Sequence, residues 1–199
     1  MREITCVSLD LTTHCDRRCP DCCCGIGINR KLQHHSWEYF ENAAQFIHGI
    51  ERIHLTGGEP TVHPQFAEFV PKLRALFGCK TLTLQTDGHG AKRYAETLAH
   101  FDHIYASRYD TNHADIDFIG GRFITTEWAG AFTPRSQRGS GKPCQRGFSE
   151  TVAYADGRMF GCCVAPGIDG AQSISLCADW KEKIEAVPLP CKECMFSPL

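Results

Sequence analysis

Short β-rich apolar runs alternate with stretches of helical spacing along most of this chain, and that alternation limits the fold more than any other feature. "ITCVSLDLTTH" reads as a first strand. "SWEYFENAAQFIHGI" then carries a serine in N-cap position and apolar residues at helical spacing. "RIHLTGGEP" is a second strand running into a glycine turn. "HPQFAEFVPKLRALFG" is a second helix, with Pro64 near its start, Gly78 at its end and Pro71 as a point of kinking. "KTLTLQTDG", "AKRYAETLAHF" and "HIYASRYD" continue as strand, helix and strand, and "GRFITTEW" supplies a fifth strand. The order β-α-β-α-β-α-β predicts an α/β fold, either a parallel sheet or a partial (β/α) barrel.

In such folds the chemistry gathers at the carboxyl ends of the strands. A cysteine-rich loop, "TGGEP", "QTDG" and "SRYD" all fall at those ends, so one rim collects them. After about residue 130 the pattern changes. "TPRSQRGSGKP" is a polar, basic linker. "ETVAYADGRMFGCC" reads as a hairpin turning at Asp156-Gly157, and a short helix and "PCKEC" close the chain. The expected division is a barrel over residues 1–133 and a small cysteine-rich extension over 134–199.

Composition decides what the cysteines are for. There are 13 of them, an odd number, in two dense groups. The N-terminus lacks the apolar core of a signal peptide, and no apolar run approaches the roughly 20 residues that span a bilayer. A cytoplasmic protein with no membrane contact is expected, and a disulfide framework is not. A net charge of −2 gives no global basic field for nucleic acid. Thiolate ligation of zinc or of an iron–sulfur cluster is the remaining reading.

The first group, "HCDRRCPDCCCG", puts Cys15, Cys19 and Cys22 at C-x3-C-x2-C. Three thiolates can hold three irons of a 4Fe–4S cube and leave the fourth open, as catalysis requires. Zinc is the alternative, with His14, Cys23, Cys24 or His34 available as a fourth ligand. One strand–helix unit later stands "LTGGEP". Together these motifs resemble the radical S-adenosylmethionine (radical SAM) superfamily. The resemblance implies a 4Fe–4S cluster on the three cysteines. It also implies that the turn Gly57-Gly58-Glu59-Pro60 meets the amino group of the methionine moiety. "LQTDG" and "YASRYD" resemble the family's third- and fourth-strand segments, which assigns Gln85, Thr86, Asp87 and Ser107 to the adenosyl part. Where many members have an aromatic residue before the third cysteine, this chain has Asp21, so adenine packing must come from elsewhere. The barrel is expected to be shortened relative to the family's six-unit core. Cys23 and Cys24 are extra, either small buried hydrophobes or reactive thiols.

The second group is Cys144, then C-x12-G-x4-C to Cys162, then Cys191 and Cys194 as C-x2-C. It resembles the extension of the SPASM/Twitch subgroup, in its shorter Twitch-like form. That resemblance implies one auxiliary 4Fe–4S cluster on Cys144, Cys162, Cys191 and Cys194, and so two clusters in all. Cys163 competes with Cys162, Cys177 is a spare, and a structural zinc knot is the alternative.

The implied chemistry is reductive cleavage of S-adenosylmethionine to a 5′-deoxyadenosyl radical, which abstracts hydrogen from a substrate. An external one-electron donor such as flavodoxin or ferredoxin is implied, with the auxiliary cluster in electron transfer or substrate binding. Glu127, Trp128, Arg108, Asp110 and His113 are candidate substrate contacts or proton carriers. Arg135, Arg138, Lys142 and Arg146 form a basic loop suited to a phosphate or carboxylate. The chain length is expected to leave no room for a leader-binding domain, which favours a small molecule, a nucleotide or a partner-delivered substrate, with a short peptide still open. Two further readings stay open: an activase acting on a partner protein, and a non-enzymatic metal-binding module.

Overall fold

The computed structural model describes residues 4–18, 22, 31–107, 123–126, 150–153, 158–160 and 173–187. Strand β1 (Cys6–Thr12) leads to α1 (Trp37–Ile47), β2 (Arg52–Gly57), a 3-10 turn (Pro60–Val62), α2 (Phe66–Phe77), β3 (Thr81–Thr86) and α3 (Ala95–Leu98). There follow β4 (His103–Ser107), β5 (Phe123–Thr126), β6 (Glu150–Ala153), β7 (Arg158–Phe160), β8 (Ser173–Ser175) and α4 (Trp180–Ala186). All eight strands form one sheet in the order β5-β4-β3-β2-β1-β6-β7-β8. The pairs from β5 through β1 to β6 are parallel, and β7 and β8 add antiparallel. The α/β fold with a parallel sheet is therefore as the alternation predicts.

Period-two alternation gives the sheet two unlike faces. Val7, Ile53 and Leu82 stand in one cross-strand row, and Leu9, Leu55, Leu84 and Ile104 in the next. All are buried, and they share one core with Phe40, Ala43 and Ile47 of α1 and Phe66, Phe69, Leu73 and Phe77 of α2. The intervening positions, Ser8, Asp10, His54, Thr83, Gln85, Tyr105 and Ser107, are polar and line the opposite face. Several bond to each other across strands: His54 Nδ1 lies 2.8 Å from Thr83 Oγ1, and Gln85 Nε2 donates to Ser107 Oγ at 3.0 Å. A helix-covered apolar face and a polar face are what a partial barrel needs to keep its interior for a ligand.

The helices follow their sequence signals with two differences. Ser36 is the N-cap of α1 in extended conformation, but its hydroxyl makes no capping bond. α2 runs through Pro71 to Phe77 and stops at Gly78, whose φ of 59° is the left-handed conformation that ends helices. The third helix is shorter than the spacing suggests. Only Ala95–Leu98 is α-helical, and turns occupy the segment before it.

The hairpin expected at Asp156-Gly157 has its two arms in β6 and β7, which pair antiparallel. β6 also pairs in parallel with β1, Cys6 opposite Glu150, so it is a sixth parallel strand on the far side of β1. A strand at the edge of a hairpin carries no sequence mark of its second partner, which is why this pairing is invisible before folding. Farther along, Trp180, Ile184 and Met159 join the same core as Val7 and Leu9, and Trp180 Nε1 donates to Phe46 O at 3.1 Å. Among the described residues no helix is long and apolar enough to cross a membrane.

Trp180 is 1% exposed and joins α4 to α1. Trp180→Ala is expected to destabilise the chain by about 3–5 kcal/mol, measured as a lowered midpoint in urea unfolding followed by far-ultraviolet circular dichroism. A midpoint unchanged from wild type would mean that α4 does not contribute to the cooperative core.

Candidate active site

The rim is assembled where β1 and β2 end side by side. Gly58 N donates to Thr12 O at 2.8 Å, and Glu59 N donates to His14 O at 2.9 Å. A Cβ on Gly57, whose φ is 137°, would stand 2.1 Å from Thr12 O. One on Gly58 would stand 2.0 Å from His14 O and 3.0 Å from the Cβ of Cys15. The two glycines are thus required by close approach to the chain's own backbone, at the residues that lead into the first cysteine. The glycine turn and the cysteine loop are one packed unit.

Glu59 closes this unit from below. It is 1% exposed and accepts four hydrogen bonds. The donors are Thr61 N at 3.0 Å and Thr61 Oγ1 at 2.7 Å, Thr86 Oγ1 at 2.8 Å, and Asp87 N at 2.6 Å. Burial, with the nearby charge of Asp87, pushes its carboxyl up to about 8 against the pull of these donors. Pro60 opens the 3-10 turn that brings Thr61 back onto the carboxylate.

Asp87 is buried at the end of β3. Its Oδ2 accepts from Arg17 Nε at 2.8 Å, and its Oδ1 accepts from His89 N at 2.9 Å. Burial opposes its charge, but these bonds from His89 and Arg17 outweigh burial and hold the carboxyl below its usual range. Asp16, Asp87 and His89 bring ligand atoms within 4.8 Å of one another. Arg17 bonds to two of the three, with Nη2 3.2 Å from His89 Nδ1, so the cation of this group is a side chain of the protein.

The stems of the cysteine loop are fastened too. Thr13 N donates to Gln33 O at 2.9 Å, Gln33 N to Thr13 Oγ1 at 2.7 Å, and Thr13 Oγ1 to Lys31 O at 2.7 Å. Thr12 Oγ1 lies 2.9 Å from His34 Nδ1, and the His34 ring stacks on His14 with centroids 4.2 Å apart. Cys15 and Cys22 are half-buried and in no disulfide. Cys15 Sγ accepts from Arg17 N at 3.4 Å. Burial, reinforced by the carboxylates of Glu59, Asp16 and Asp87, pushes the Cys15 thiol up to about 12. A site that opposes a lone thiolate this strongly, yet leaves the thiol outside any disulfide at a rim, fits a metal cluster whose positive charge takes the proton's place.

The structure thus joins Cys15, Gly57, Gly58, Glu59, Pro60 and Asp87 in one assembly, with Gln85 and Ser107 paired to each other on the polar face. Arg17, Thr12 and Thr13 belong to it as well, unmarked by the motif spacing, and so does His34, which the zinc alternative names as a possible fourth ligand. Arg17 carries a signal only in hindsight, as a cation placed between two cysteines. Cys19, Asp21, Cys23, Cys24, Arg108, Asp110, His113, Glu127, Trp128, Arg135, Arg138, Lys142, Cys144, Arg146, Cys162, Cys163, Cys191 and Cys194 lie outside the described residues.

Comparison with known proteins agrees with the motifs. Residues 9–121 match the Radical SAM superfamily. A GTP 3′,8-cyclase of Thermodesulfovibrio yellowstonii is 28% identical over 102 residues, 49% of this chain and 32% of that protein. A PqqA peptide cyclase of Methylorubrum populi is 31% identical over 116 residues, 56% of this chain and 30% of that protein. The chain therefore spans about a third of the length of these curated relatives. Among solved structures, BtrN in complex with AdoMet and 2-DOIA has a TM-score of 0.71 at 12% identity, covering 94% of this chain and 84% of that one. Streptococcus suis SuiB bound to S-adenosylmethionine has a TM-score of 0.53 at 12% identity, covering 96% and 67%. At such identity the structural likeness shows a shared fold.

Two measurements test the rim. In Glu59→Gln an amide nitrogen replaces one carboxylate oxygen, so a backbone donor loses its acceptor at a cost of about 1–3 kcal/mol. The folded chain holds the Glu59 proton to about pH 8, whereas the ordinary carboxyl loses it near 4.5. Between those values the folded state binds more proton, so stability falls as pH rises. From pH 4.5 to 8 the denaturant midpoint of wild type is expected to fall relative to that of Glu59→Gln; parallel profiles would refute the assignment. Gly58→Ala is expected to destabilise by roughly 1–3 kcal/mol or more, because its Cβ meets backbone that cannot move aside.

Proposed function

The chain belongs to the Radical SAM superfamily, and we propose that it is an enzyme that cleaves S-adenosylmethionine at a 4Fe–4S cluster held by Cys15, Cys19 and Cys22. The observation that carries this reading is the hydrogen-bonded junction of the glycine turn with the residues entering Cys15. A turn and a thiol loop this closely packed put one ligand within reach of both. When bound, the cluster and S-adenosylmethionine supply a 5′-deoxyadenosyl radical that abstracts hydrogen from an unreactive carbon.

The chain's own residues then have distinct tasks. Cys15, Cys19 and Cys22 give thiolates to the cluster; Cys15 gives up its proton on doing so. Gly57, Gly58, Glu59 and Pro60 form the turn beside the methionine amine. Glu59 spends its carboxylate on Thr61, Thr86 and Asp87, so contact with the amine falls to the backbone of the turn. Gln85 and Ser107, joined on the polar face, are the proposed adenosyl contacts.

The substrate reading draws on the relatives' names. One is a cyclase of GTP and another a cyclase of the PqqA peptide, so a nucleotide-like or peptide substrate is proposed alongside a small molecule. Arg135, Arg138, Lys142 and Arg146 suit a phosphate, with Arg108, Asp110 and Glu127 as candidate substrate contacts. A Twitch-like auxiliary cluster on Cys144, Cys162, Cys191 and Cys194 completes the proposal, with an external one-electron donor.

Anaerobic reconstitution tests all of this. About four irons per chain are expected for one cluster and about eight for two. Dithionite with S-adenosylmethionine should release 5′-deoxyadenosine, and Cys19→Ala should abolish it. Stoichiometric zinc in place of iron, or no cleavage in iron-loaded protein, would reject the enzymatic reading; four irons with cleavage would reject only the auxiliary cluster.

A further inference from the structure

Arg17 lies in the middle of the first cysteine spacing, and its side chain leaves the loop. Its Nε meets Asp87 Oδ2 at 2.8 Å, where Arg17 is 17% and Asp87 6% exposed. Arg18, next in sequence, is exposed. Asp87 is a firm anchor, because its backbone N donates to buried Glu59 and its Oδ1 accepts from His89 N. Its two oxygens are thus engaged within the protein. That use competes with the adenosyl contact expected of Asp87 from the resemblance.

The backbone of Arg17 has a second engagement. Its N–H donates to Cys15 Sγ at 3.4 Å. A single residue therefore ties the loop to the third-strand rim with its side chain and bonds a would-be ligand sulfur with its amide. Hydrogen bonds to ligating sulfur raise the reduction potential of a cluster, and partners beyond the ligands orient them.

We propose that Arg17 and Asp87 form a clamp that positions the cluster loop and keeps the Arg17 amide on the sulfur of Cys15. Both are positioning residues, and the inference rests on the reading that Cys15 ligates the cluster. Breaking the clamp from either side frees the span Asp16–Arg18, weakens the N–H···S bond and lowers the midpoint potential. The direction for Asp87 is diagnostic. Deleting a negative charge near a cluster would by simple electrostatics raise its potential, whereas losing the clamp lowers it.

The experiment is redox titration, followed by electron paramagnetic resonance, of reconstituted full chains carrying Arg17→Gln, Arg17→Lys, Asp87→Ala or Arg18→Gln. Arg17→Gln and Asp87→Ala are expected to shift the potential negative, Arg17→Gln further than Arg18→Gln, with Arg17→Lys restoring part of the difference. A positive shift in Asp87→Ala, or equal shifts in Arg17→Gln and Arg18→Gln, would overturn the clamp. Hydrogen–deuterium exchange of the metal-free proteins separates this result from the function itself. The segment 14–18 should exchange about tenfold faster in Arg17→Gln and Asp87→Ala than in wild type. Unchanged exchange overturns the clamp whether or not iron binds. Faster exchange in the two variants, together with a wild-type protein that takes up no cluster, supports the clamp and rejects the iron-binding reading instead.

Discussion

A buried carboxyl group organises the rim. Glu59 sits at the end of β2 and takes donors from the 3-10 turn that follows it and from the end of β3. Its own backbone N is bonded to His14, beside Cys15. Three strand ends are therefore fixed relative to each other through one side chain and its peptide. Buried polar groups are costly unless satisfied, so Glu59 and its four donors impose the geometry on one another. The cysteine loop and the third-strand turn are tied a second time, directly, by Arg17 and Asp87.

The rim works because the sheet beneath it separates two environments. Rows such as Leu9–Leu55–Leu84–Ile104 give α1 and α2 a continuous apolar surface. The alternate positions can then stay polar, and they do: Asp10, His54, Thr83, Gln85 and Ser107 occupy the other face. The parallel arrangement adds a second consequence. Parallel strands all end on the same side, so motifs that are far apart in sequence arrive together. Asp87 reaches Arg17 across seventy residues by this means. Electrostatics complete the picture, since burial, and then the charges of Glu59, Asp16 and Asp87, oppose a bare thiolate at Cys15.

Legibility in the sequence followed the range of the interactions. Strands β1 to β5 were readable because β-rich runs with period-two faces are local, and α2 because Gly78 ends it with a local backbone conformation. Cys15, Gly57, Gly58 and Glu59 were readable as motifs. The reason for the glycines was not: they answer to Thr12 O and His14 O, forty-odd residues away. Asp87 read as a candidate ligand contact, and its bonds to Arg17 and His89 were not readable, because Arg17 is brought to it only by folding. β6 read as a hairpin arm, and its parallel pairing with β1 depends on a neighbour that only the closed sheet supplies.

The order of residues carries the alternation of strand and helix, the unequal faces of each strand, and the thiol and glycine motifs at the strand ends. These are matters of residue type and spacing over a few positions, where side-chain chemistry and backbone preference act directly. Folding is what makes Glu59 a buried tie, sends Arg17 rather than Arg18 across to Asp87, and sets Trp180 as the seal between α4 and α1. Each of those depends on burial and on partners brought together by the sheet. A carboxylate, a guanidinium or an indole has the same identity in the sequence whether it meets water or protein, and only folding chooses between them.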